Sequence, residues 1–232
     1  MVYDIIATGS DGNALIINDS ILIDCGVPFK ALKHHVKRLQ LVLLTHAHSD
    51  HFNPATVKRL GHDRPGLRWG CCDWMVEKLL DAGIYRRQID VYAPGSTVGY
   101  LSGNVVITPV ELPHNVPNCG YKIMLPPDAA IFYATDTGTL DGITAKGFTH
   151  YFVEANHTRA EIEARAAEKE ARGEFAYEVR AAENHLSYEQ AVEWLMGQMA
   201  PESIWIPMHI HKNKGVKDDG GTPDVCENDS AV

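Results

Sequence analysis

Three imidazoles and one carboxylate lie within six consecutive positions in the first quarter of the chain. The segment T-H-A-H-S-D-H, residues 45–51, supplies His46, His48, Asp50 and His51. Neutral imidazole nitrogens and carboxylate oxygens are ligands that Zn²⁺ prefers, and iron and manganese accept them as well. Such a string has little structural reason to occur in a loop. It predicts a metal site in which the first two histidines face one ion and the last two side chains face a neighbouring ion.

Three more residues of metal-ligand type lie downstream. His114 lies in the proline-flanked segment L-P-H-N-V-P, Asp136 follows a predicted strand, and His209 follows the apolar run 204–206. Each has an ordinary alternative, such as a surface histidine for His114 or a turn-forming aspartate for Asp136. His211 lies close to His209, and we expect only one of the two to bind a metal. We favour His209 because it follows the apolar run more closely.

The ordered set of motifs resembles the metallo-β-lactamase superfamily across most of the chain. The signature of that family is the His-x-His-x-Asp-His loop of residues 46–51. The other family motifs fall in order on Asp24 in I-D-C-G, on His114, on Asp136 in A-T-D-T-G, and on His209. The resemblance implies a metal-dependent hydrolase with two divalent ions, for which zinc is expected and manganese or iron are alternatives.

The resemblance also implies a role for each of these side chains. One ion would be held by three imidazoles, those of His46, His48 and His114. The other ion would be held by Asp50, His51 and His209. Asp136 would bridge both ions, and Asp24 would orient the ligand loop from behind it, as outer partners of metal ligands often do. The attacking water would lose its proton to Asp50 or Asp136.

Two further segments are similar to the bacterial and phage exonuclease-like branch of the superfamily and, more distantly, to ribonuclease Z. They are E-A-N-H at 154–157 and N-H-L-S at 184–187. By that resemblance, Glu154 and His185 would form a catalytic pair that protonates the leaving oxygen. The chemistry is suitable, since a histidine held by a carboxylate can supply a proton near neutral pH. An ordinary histidine at a helix start is the alternative for His185.

The charge pattern leaves the substrate open. The formal net charge of -9 argues against a broad basic surface for nucleic acid, and no long basic arm is present. Lys and Arg between residues 166 and 183 alternate with Glu, which favours a solvated helix face. The first hypothesis is a phosphodiesterase acting on DNA or RNA. The alternatives are a hydrolase of small esters, thioesters or lactones, and a metal-binding protein without turnover.

Composition indicates an ordinary globular protein without membrane association. The 232 residues are 45% hydrophobic and 22% charged, and no apolar run approaches a bilayer span. We expect one hydrolase domain over residues 1–211, a polar and mobile tail over 212–232, and a cytoplasmic location. Five cysteines without a C-x-x-C pair predict buried thiols rather than disulfides or a thiolate zinc site. The oligomeric state stays open.

The elements that must position these side chains follow from apolar patterning and capping signals. Helix starts are predicted near residues 54, 159 and 188, and a helix over 28–39. Strands are predicted at 3–7, 14–17, 21–23, 41–44, 67–71, 105–110, 121–125, 130–134 and 151–154. Strand hairpins interrupted by helices favour an α/β fold, a four-layered αβ/βα sandwich of two mixed β-sheets flanked by helices.

Overall fold

Two β-sheets of six strands each are present in a computed structural model, which describes residues 1–100, 103–125, 127, 129–173 and 183–210. The strands of the first sheet follow one another in chain order: β1 Tyr3–Ala7, β2 Ala14–Ile17, β3 Ile21–Ile23, β4 Leu41–Leu44, β5 Arg68–Cys72 and β6 Ile89–Tyr92. So do those of the second sheet: β7 Val98–Tyr100, β8 Val105–Leu112, β9 Asn118–Leu125, β10 Ala129–Ala134, β11 His150–Glu154 and β12 Ile204–Met208.

Both sheets are mixed, as predicted. In the first sheet, β1, β2 and β3 pair antiparallel, and β3 to β6 run parallel. In the second sheet, β7 to β10 pair antiparallel, and β10, β11 and β12 run parallel. Each sheet therefore has a hairpin part and a parallel part, and the parallel strands are joined by crossovers that lie outside the sheet.

Helices begin where the capping signals predicted them. The described helices are α1 Phe29–Leu32, α2 Pro54–Asp63, α3 Val76–Asp81, α4 Arg159–Ala171 and α5 Tyr188–Met196. Asn53 accepts a hydrogen bond from the backbone N–H of Thr56 at the start of α2. Thr158 and Ser187 each complete a capping box, before α4 and α5. The predicted starts at 54, 159 and 188 are thus confirmed.

Apolar side chains fill three layers. The layer between the sheets is lined from both sides, for example by Leu15, Ile23, Leu43, Tyr121 and Phe152. The outer face of the first sheet packs against α2, and that of the second sheet packs against α5. Strands β2, β3 and β4 are covered on both faces and are continuous apolar runs for that reason. The predicted αβ/βα sandwich is confirmed.

The predicted helix over residues 28–39 is wrong beyond its first turn. Helix α1 ends at Leu32, and residues 33–38 form successive turns in which His35 N–H donates to the carbonyl of Leu32. The sequence K-H-H-V-K-R places basic side chains at helical spacing, where like charges oppose a longer helix. The apolar positions that produced the helical spacing are buried nevertheless: Leu32, Val36 and Leu39.

The predicted bounds of β1 to β4 are confirmed, those of β5 and of β8 to β11 differ from the structure by one to three residues at one or both ends, and three strands were not predicted: β6, β7 and β12. Strands β6 and β7 are short and only partly buried, so their patterns are weak. Helix α4 buries none of its residues, in agreement with a solvated face. Four cysteines are free and buried, as predicted: Cys25, Cys71, Cys72 and Cys119.

Some predictions fall on segments that the structure does not describe. His211, Cys226 and the tail 212–232 lie outside the described residues, as does the second half of the charged stretch, residues 174–182. Among the described residues, no helix has both the length and the apolar character that a membrane crossing requires.

The strand ends bring the predicted site residues to one place. Asp24 follows β3, and residues 45–51 follow β4 in the first sheet. In the second sheet Asp136 follows β10, Glu154 ends β11, and His209 follows β12. Because parallel neighbours end at the same edge of a sheet, and the two sheets are stacked, these segments meet at one end of the sandwich.

Candidate metal centre

Three histidine nitrogens converge beyond the carboxyl end of β4. His46 Nε2 lies 3.1 Å from His48 Nδ1, and His114 Nε2 lies 3.4 Å from the same atom of His48. Asp136 Oδ1 lies 3.9 Å from His114 Nε2. These four side chains form one group whose ligand atoms are close enough together to hold a metal ion.

The first group fits a tetrahedral cation. Ligand atoms about 2.0–2.1 Å from a tetrahedral zinc ion lie roughly 3.3 Å from one another. The separations of 3.1 and 3.4 Å between the imidazole nitrogens are close to that value. A neutral imidazole has one donor and one acceptor, so three ring nitrogens that face one another cannot all be satisfied among themselves. A shared cation gives each of them a partner.

A second group lies beside the first and shares Asp136 with it. His209 Nε2 lies 3.3 Å from Asp50 Oδ2 and 3.6 Å from Asp136 Oδ1. His51 Nε2 lies 2.8 Å from Asp136 Oδ2, yet this oxygen is buried and accepts no hydrogen bond. An ionised buried oxygen without a donor is costly. A cation between Asp50, His51 and His209 would remove that cost.

In His46 and His114 the ring nitrogen that points away from the site has a hydrogen-bond partner. This partner determines which nitrogen faces the site. His46 Nδ1 lies 3.0 Å from Thr45 Oγ1, and His114 Nδ1 lies 3.2 Å from the carbonyl oxygen of Asn184. A ring N–H that donates to a carbonyl leaves the opposite nitrogen unprotonated. In His114 the free nitrogen is therefore Nε2, which faces His48.

Asp24 holds the ring of His51 from behind. Its Oδ2 lies 2.7 Å from His51 Nδ1, and its Oδ1 accepts from the backbone N–H and the hydroxyl of Thr45, each at 2.9 Å. The arrangement leaves His51 Nε2 directed toward Asp136. The structure thus places Asp24 where the sequence analysis expected an orienting carboxylate.

Three side chains of the centre sit on strained backbone. Asp24, Asp136 and His209 have φ angles of 59°, 56° and 51°. Residues other than glycine rarely adopt this left-handed region, and such strain concentrates at functional sites. Asp24 and His209 directly follow strands, and Asp136 lies two residues after the end of β10, so in each case a left-handed residue turns the chain sharply where it leaves the sheet.

The pKa shifts of the histidines differ between the two groups. Burial lowers the pKa of His46, and the neighbouring imidazole of His51 lowers it further. Burial would raise the pKa of Asp136, but the charges of His51 and His209 hold it well below its ordinary value. Burial alone would lower the pKa of His209, but hydrogen bonds to Asp50 and Glu154 raise it to about 10. The carboxylates of the second group therefore favour a positive charge at His209, and a divalent cation bound there would supply one.

Glu154 and His185 form a close pair beside the second group. His185 Nδ1 lies 2.6 Å from Glu154 Oε1, and the His185 ring is stacked on that of His209 with centroids 5.3 Å apart. Glu154 is fully buried, whereas the His185 side chain is 20% exposed. Burial would lower the pKa of His185, but the hydrogen bond and charge of Glu154 raise it above its ordinary value. The two residues that the sequence analysis paired are therefore in contact.

Asn13 was missed by the sequence analysis and lies under the ligand loop. Its Nδ2 lies 2.8 Å from His51 Nε2 and 3.4 Å from Asp50 Oδ2, and its backbone N–H donates to the carbonyl of Asp50. The available signal was the segment G-S-D-G-N at 9–13, in which both glycines adopt positive φ. Such a turn serves to present one polar side chain at its end.

Two glycines permit close approaches that the centre needs. A Cβ on Gly26 would lie 1.7 Å from the carbonyl oxygen of Asp50, so the I-D-C-G turn can lie against the ligand loop only without a side chain. A Cβ on Gly138 would lie 2.2 Å from the carbonyl oxygen of Glu183. That contact brings the segment carrying His185 against the turn that carries Asp136.

His157 and Ser187 take structural roles. The two residues form an isolated parallel bridge, and the hydroxyl of Ser187 accepts from the N–H of Gln190 in the capping box of α5. Neither belongs to the groups able to hold a cation among the described residues. The interpretation of Ser187 as a helix cap is confirmed.

Most of the chain matches one known protein family. Residues 19–210 match the model of a family described as the β-lactamase superfamily domain. Among curated proteins, no match was found.

Solved structures with the same fold are similar over nearly the full chain. The metallo-β-lactamase fold protein YhfI from Bacillus subtilis has a TM-score of 0.67 and 16% identity, and the match covers 90% of this chain and 86% of that one. The short form of human tRNase Z has a TM-score of 0.64 and 13% identity, with 91% and 93% covered. A diphosphatase from the PhnP family has a TM-score of 0.62 and 16% identity, with 90% and 85% covered. At these identities the similarity establishes the fold.

Proposed function

The chain belongs to the metallo-β-lactamase superfamily, and on that premise we propose that it is a hydrolase that uses two divalent ions to cleave phosphodiester bonds. The observation that carries the choice of bond is the contact of 2.6 Å between Glu154 Oε1 and His185 Nδ1 at the edge of the candidate centre. A phosphodiester needs a proton on its leaving oxygen, and this pair is suited to deliver one.

The ligands proposed for the first ion are His46, His48 and His114. Those proposed for the second ion are Asp50, His51 and His209, with Asp136 between the two. Support comes from the nitrogen separations in the first group and from the unpartnered Oδ2 of Asp136 in the second. We propose zinc for both positions, because imidazole and carboxylate ligands in near-tetrahedral spacing suit it.

The ions would supply a water molecule of lowered pKa and positive charge for the developing oxyanion. The protein residues would then handle the protons. Asp50 or Asp136 would accept the proton of the attacking water as its oxygen bonds to phosphorus. The bond from phosphorus to the leaving oxygen breaks, and His185 gives that oxygen its proton.

The two ring nitrogens of His185 have different surroundings that suit it for this step. Glu154 holds the Nδ1 side, so the Nε2 side is left for the substrate. The ring lies between His114 and His209, with centroid distances of 5.5 and 5.3 Å, and is partly open to solvent. Because the carboxylate stabilises the imidazolium, the ring is protonated before the leaving oxygen departs and can be reloaded afterwards.

We propose DNA or RNA as the substrate class. Structural neighbours of this fold include a tRNase Z and a diphosphatase, which supports a phosphate-containing substrate. The net charge of -9 implies that binding depends on the metal ions and on local contacts rather than on a basic surface. Affinity for nucleic acid should therefore be modest without metal.

The decisive experiment is a substrate panel with the metal-loaded protein. Labelled duplex DNA, single-stranded DNA, RNA and bis(p-nitrophenyl) phosphate are compared with lactones, thioesters and small carboxylic esters. We expect cleavage of phosphodiesters, and its loss in Asp136→Ala but not in Asp141→Ala, an exposed aspartate of the following turn. Cleavage of esters, thioesters or lactones alone would assign a small-molecule hydrolase instead, and two bound ions without any turnover would assign a non-catalytic metal protein.

A further inference from the structure

Glu154 contacts two histidines of the centre. Oε1 lies 2.6 Å from His185 Nδ1 and 3.2 Å from His209 Nδ1. Oε2 accepts from the backbone N–H groups of Thr137, at 3.1 Å, and Leu186, at 3.4 Å. The carboxylate is fully buried, so all of its contacts are with protein groups that are fixed by strand ends and turns. A residue that served only His185 would not need to contact His209.

We infer that Glu154 is a positioning residue for the second metal position, because it sets the tautomer of His209. The inference rests on the proposed function, in which His209 is a metal ligand. A carboxylate accepts hydrogen bonds and cannot donate them when ionised. When a cation takes the place of the Nε2 proton, the one proton left on His209 is therefore held on Nδ1, and Nε2 is the atom that faces Asp50 and Asp136, at 3.3 and 3.6 Å.

Asn156 competes for the same ring nitrogen. Its Nδ2 lies 3.1 Å from His209 Nδ1 and also donates to the carbonyl oxygen of His209 at 3.0 Å. A bond from Asn156 to the ring would require an unprotonated Nδ1, and thus a proton on Nε2 where the metal binds. Charge-assisted hydrogen bonds are roughly twice as strong as neutral ones. The carboxylate of Glu154 therefore decides the tautomer against the amide of Asn156.

An amide at position 154 could not replace the carboxylate. In Glu154→Gln the amide oxygen would be needed by the N–H groups of Thr137 and Leu186. The amide NH₂ would then face the two imidazoles and donate to their Nδ1 atoms. This reverses the tautomer of His209, and Asn156 reinforces the reversal. The substitution keeps the shape of the side chain but presents a ring N–H to the metal.

One carboxylate thus links two steps of the proposed reaction. The same oxygen, Oε1, holds the ring that would bind the second ion and the ring that would protonate the leaving group. The backbone bond from Thr137, the neighbour of Asp136, ties the bridging turn to the same carboxylate. Loss of the charge at position 154 is therefore expected to weaken metal binding as well as proton delivery, whereas loss of His185 affects proton delivery alone.

The test measures zinc binding by the whole chain, with a competing chelator and metal analysis, in Glu154→Gln, His185→Gln and Asn156→Ala. We expect two ions in the native protein and in His185→Gln. Glu154→Gln should hold the first ion and bind the second roughly 10–100-fold more weakly, the usual cost of losing an outer partner. Asn156→Ala should bind at least as tightly as the native protein. Imidazole ¹⁵N chemical shifts should report the reversed tautomer of His209.

The outcomes separate this inference from the proposed function. Native affinity for both ions in Glu154→Gln would overturn the inference, as would an Asn156→Ala variant that is weakened as much as Glu154→Gln. If Glu154→Gln does not fold, Glu154→Asp takes its place and should bind the second ion with reduced affinity, since its oxygen is withdrawn by one methylene. A native chain that binds two ions but cleaves no phosphodiester would remove the proposed function and leave the role of Glu154 intact.

Discussion

Asp24 Oδ2 lies 2.7 Å from His51 Nδ1, and neither side chain has any exposed surface. The contact resembles that between Glu154 and His209, so each of two histidines in the second group has a buried carboxylate behind it. The difference lies in the surroundings, because Asp24 is on a left-handed backbone and Glu154 is the last residue of a strand.

This relationship gives the first prediction. Asp24→Asn should weaken binding of the second ion by roughly 10–100-fold, because the amide would donate to His51 Nδ1 and place the ring proton on Nε2. Metal content after dialysis against a mild chelator measures the effect. Asp11→Asn, at an exposed position, is the matched control. Equal metal retention in both variants would mean that Asp24 acts on the fold rather than on the ligand.

Metal removal gives the second prediction. The native protein should contain about two ions per chain, and a strong chelator should abolish turnover until zinc or manganese is returned. The metal-free chain should melt at a lower temperature, since a ligand at 100 times its Kd stabilises a fold by about 2.7 kcal/mol per site. Elemental analysis and calorimetry measure both quantities. A protein that neither contains nor rebinds zinc or manganese would contradict the ligand assignment.

The shared carboxylate gives the third prediction. Asp136→Ala should reduce turnover by more than the roughly 10–100-fold that is typical of an outer partner, because Asp136 belongs to each of the three groups of ligand atoms able to hold a cation among the described residues, the third being Asp136, Glu154, His185 and His209. Metal content should fall together with turnover. Steady-state rates of Asp136→Ala, Asp141→Ala and the native chain are compared at saturating zinc. Nearly native activity in Asp136→Ala would exclude a bridging role.

Part of the candidate centre could be predicted from sequence because several of its side chains lie close together in the chain. His46 and His51 lie in one short loop, and capping boxes such as that of Thr158 need only a few adjacent residues. Asn13 and Asn156 could not be found in this way. Each is a single polar residue whose role depends on a contact with a segment distant in sequence, Asn13 with the ligand loop and Asn156 with His209.

The spacing of apolar residues predicted the wrong backbone where buried positions at helical spacing are not joined by a continuous helix. Leu32 and Leu39 are buried at helical spacing, yet the chain between them makes turns because its side chains are mostly basic. The short strand Val98–Tyr100 was not predicted for the opposite reason, since three residues that are not buried show no apolar alternation. In the first case local charge overrides the apolar spacing, and in the second case pairing with β8 determines the backbone.

The proposed acid gives the fourth prediction. His185→Ala should slow cleavage of a nucleic-acid phosphodiester by roughly a hundredfold or more, the usual scale for a general acid. A nitrophenyl phosphodiester has a leaving group that needs little protonation, so its cleavage should be much less sensitive. Rates on both substrates are measured with variants of equal metal content. Equal losses on the two substrates would contradict the acid assignment.

The last prediction concerns the segment that carries His185. Gly138→Ala would place a methyl group 2.2 Å from the carbonyl oxygen of Glu183, so this segment must move away from the turn of Asp136. Overpacking of this kind costs about 1–3 kcal/mol, and here the displaced segment also supplies the Asn184 carbonyl that holds His114. We expect a lower melting temperature and a loss of turnover larger than the loss in stability explains. Gly66→Ala is the matched control, because no atom lies within 4 Å of its new methyl group. Native rates in Gly138→Ala would show that the segment can retreat without moving His185, and the contact would then have no part in placing the acid.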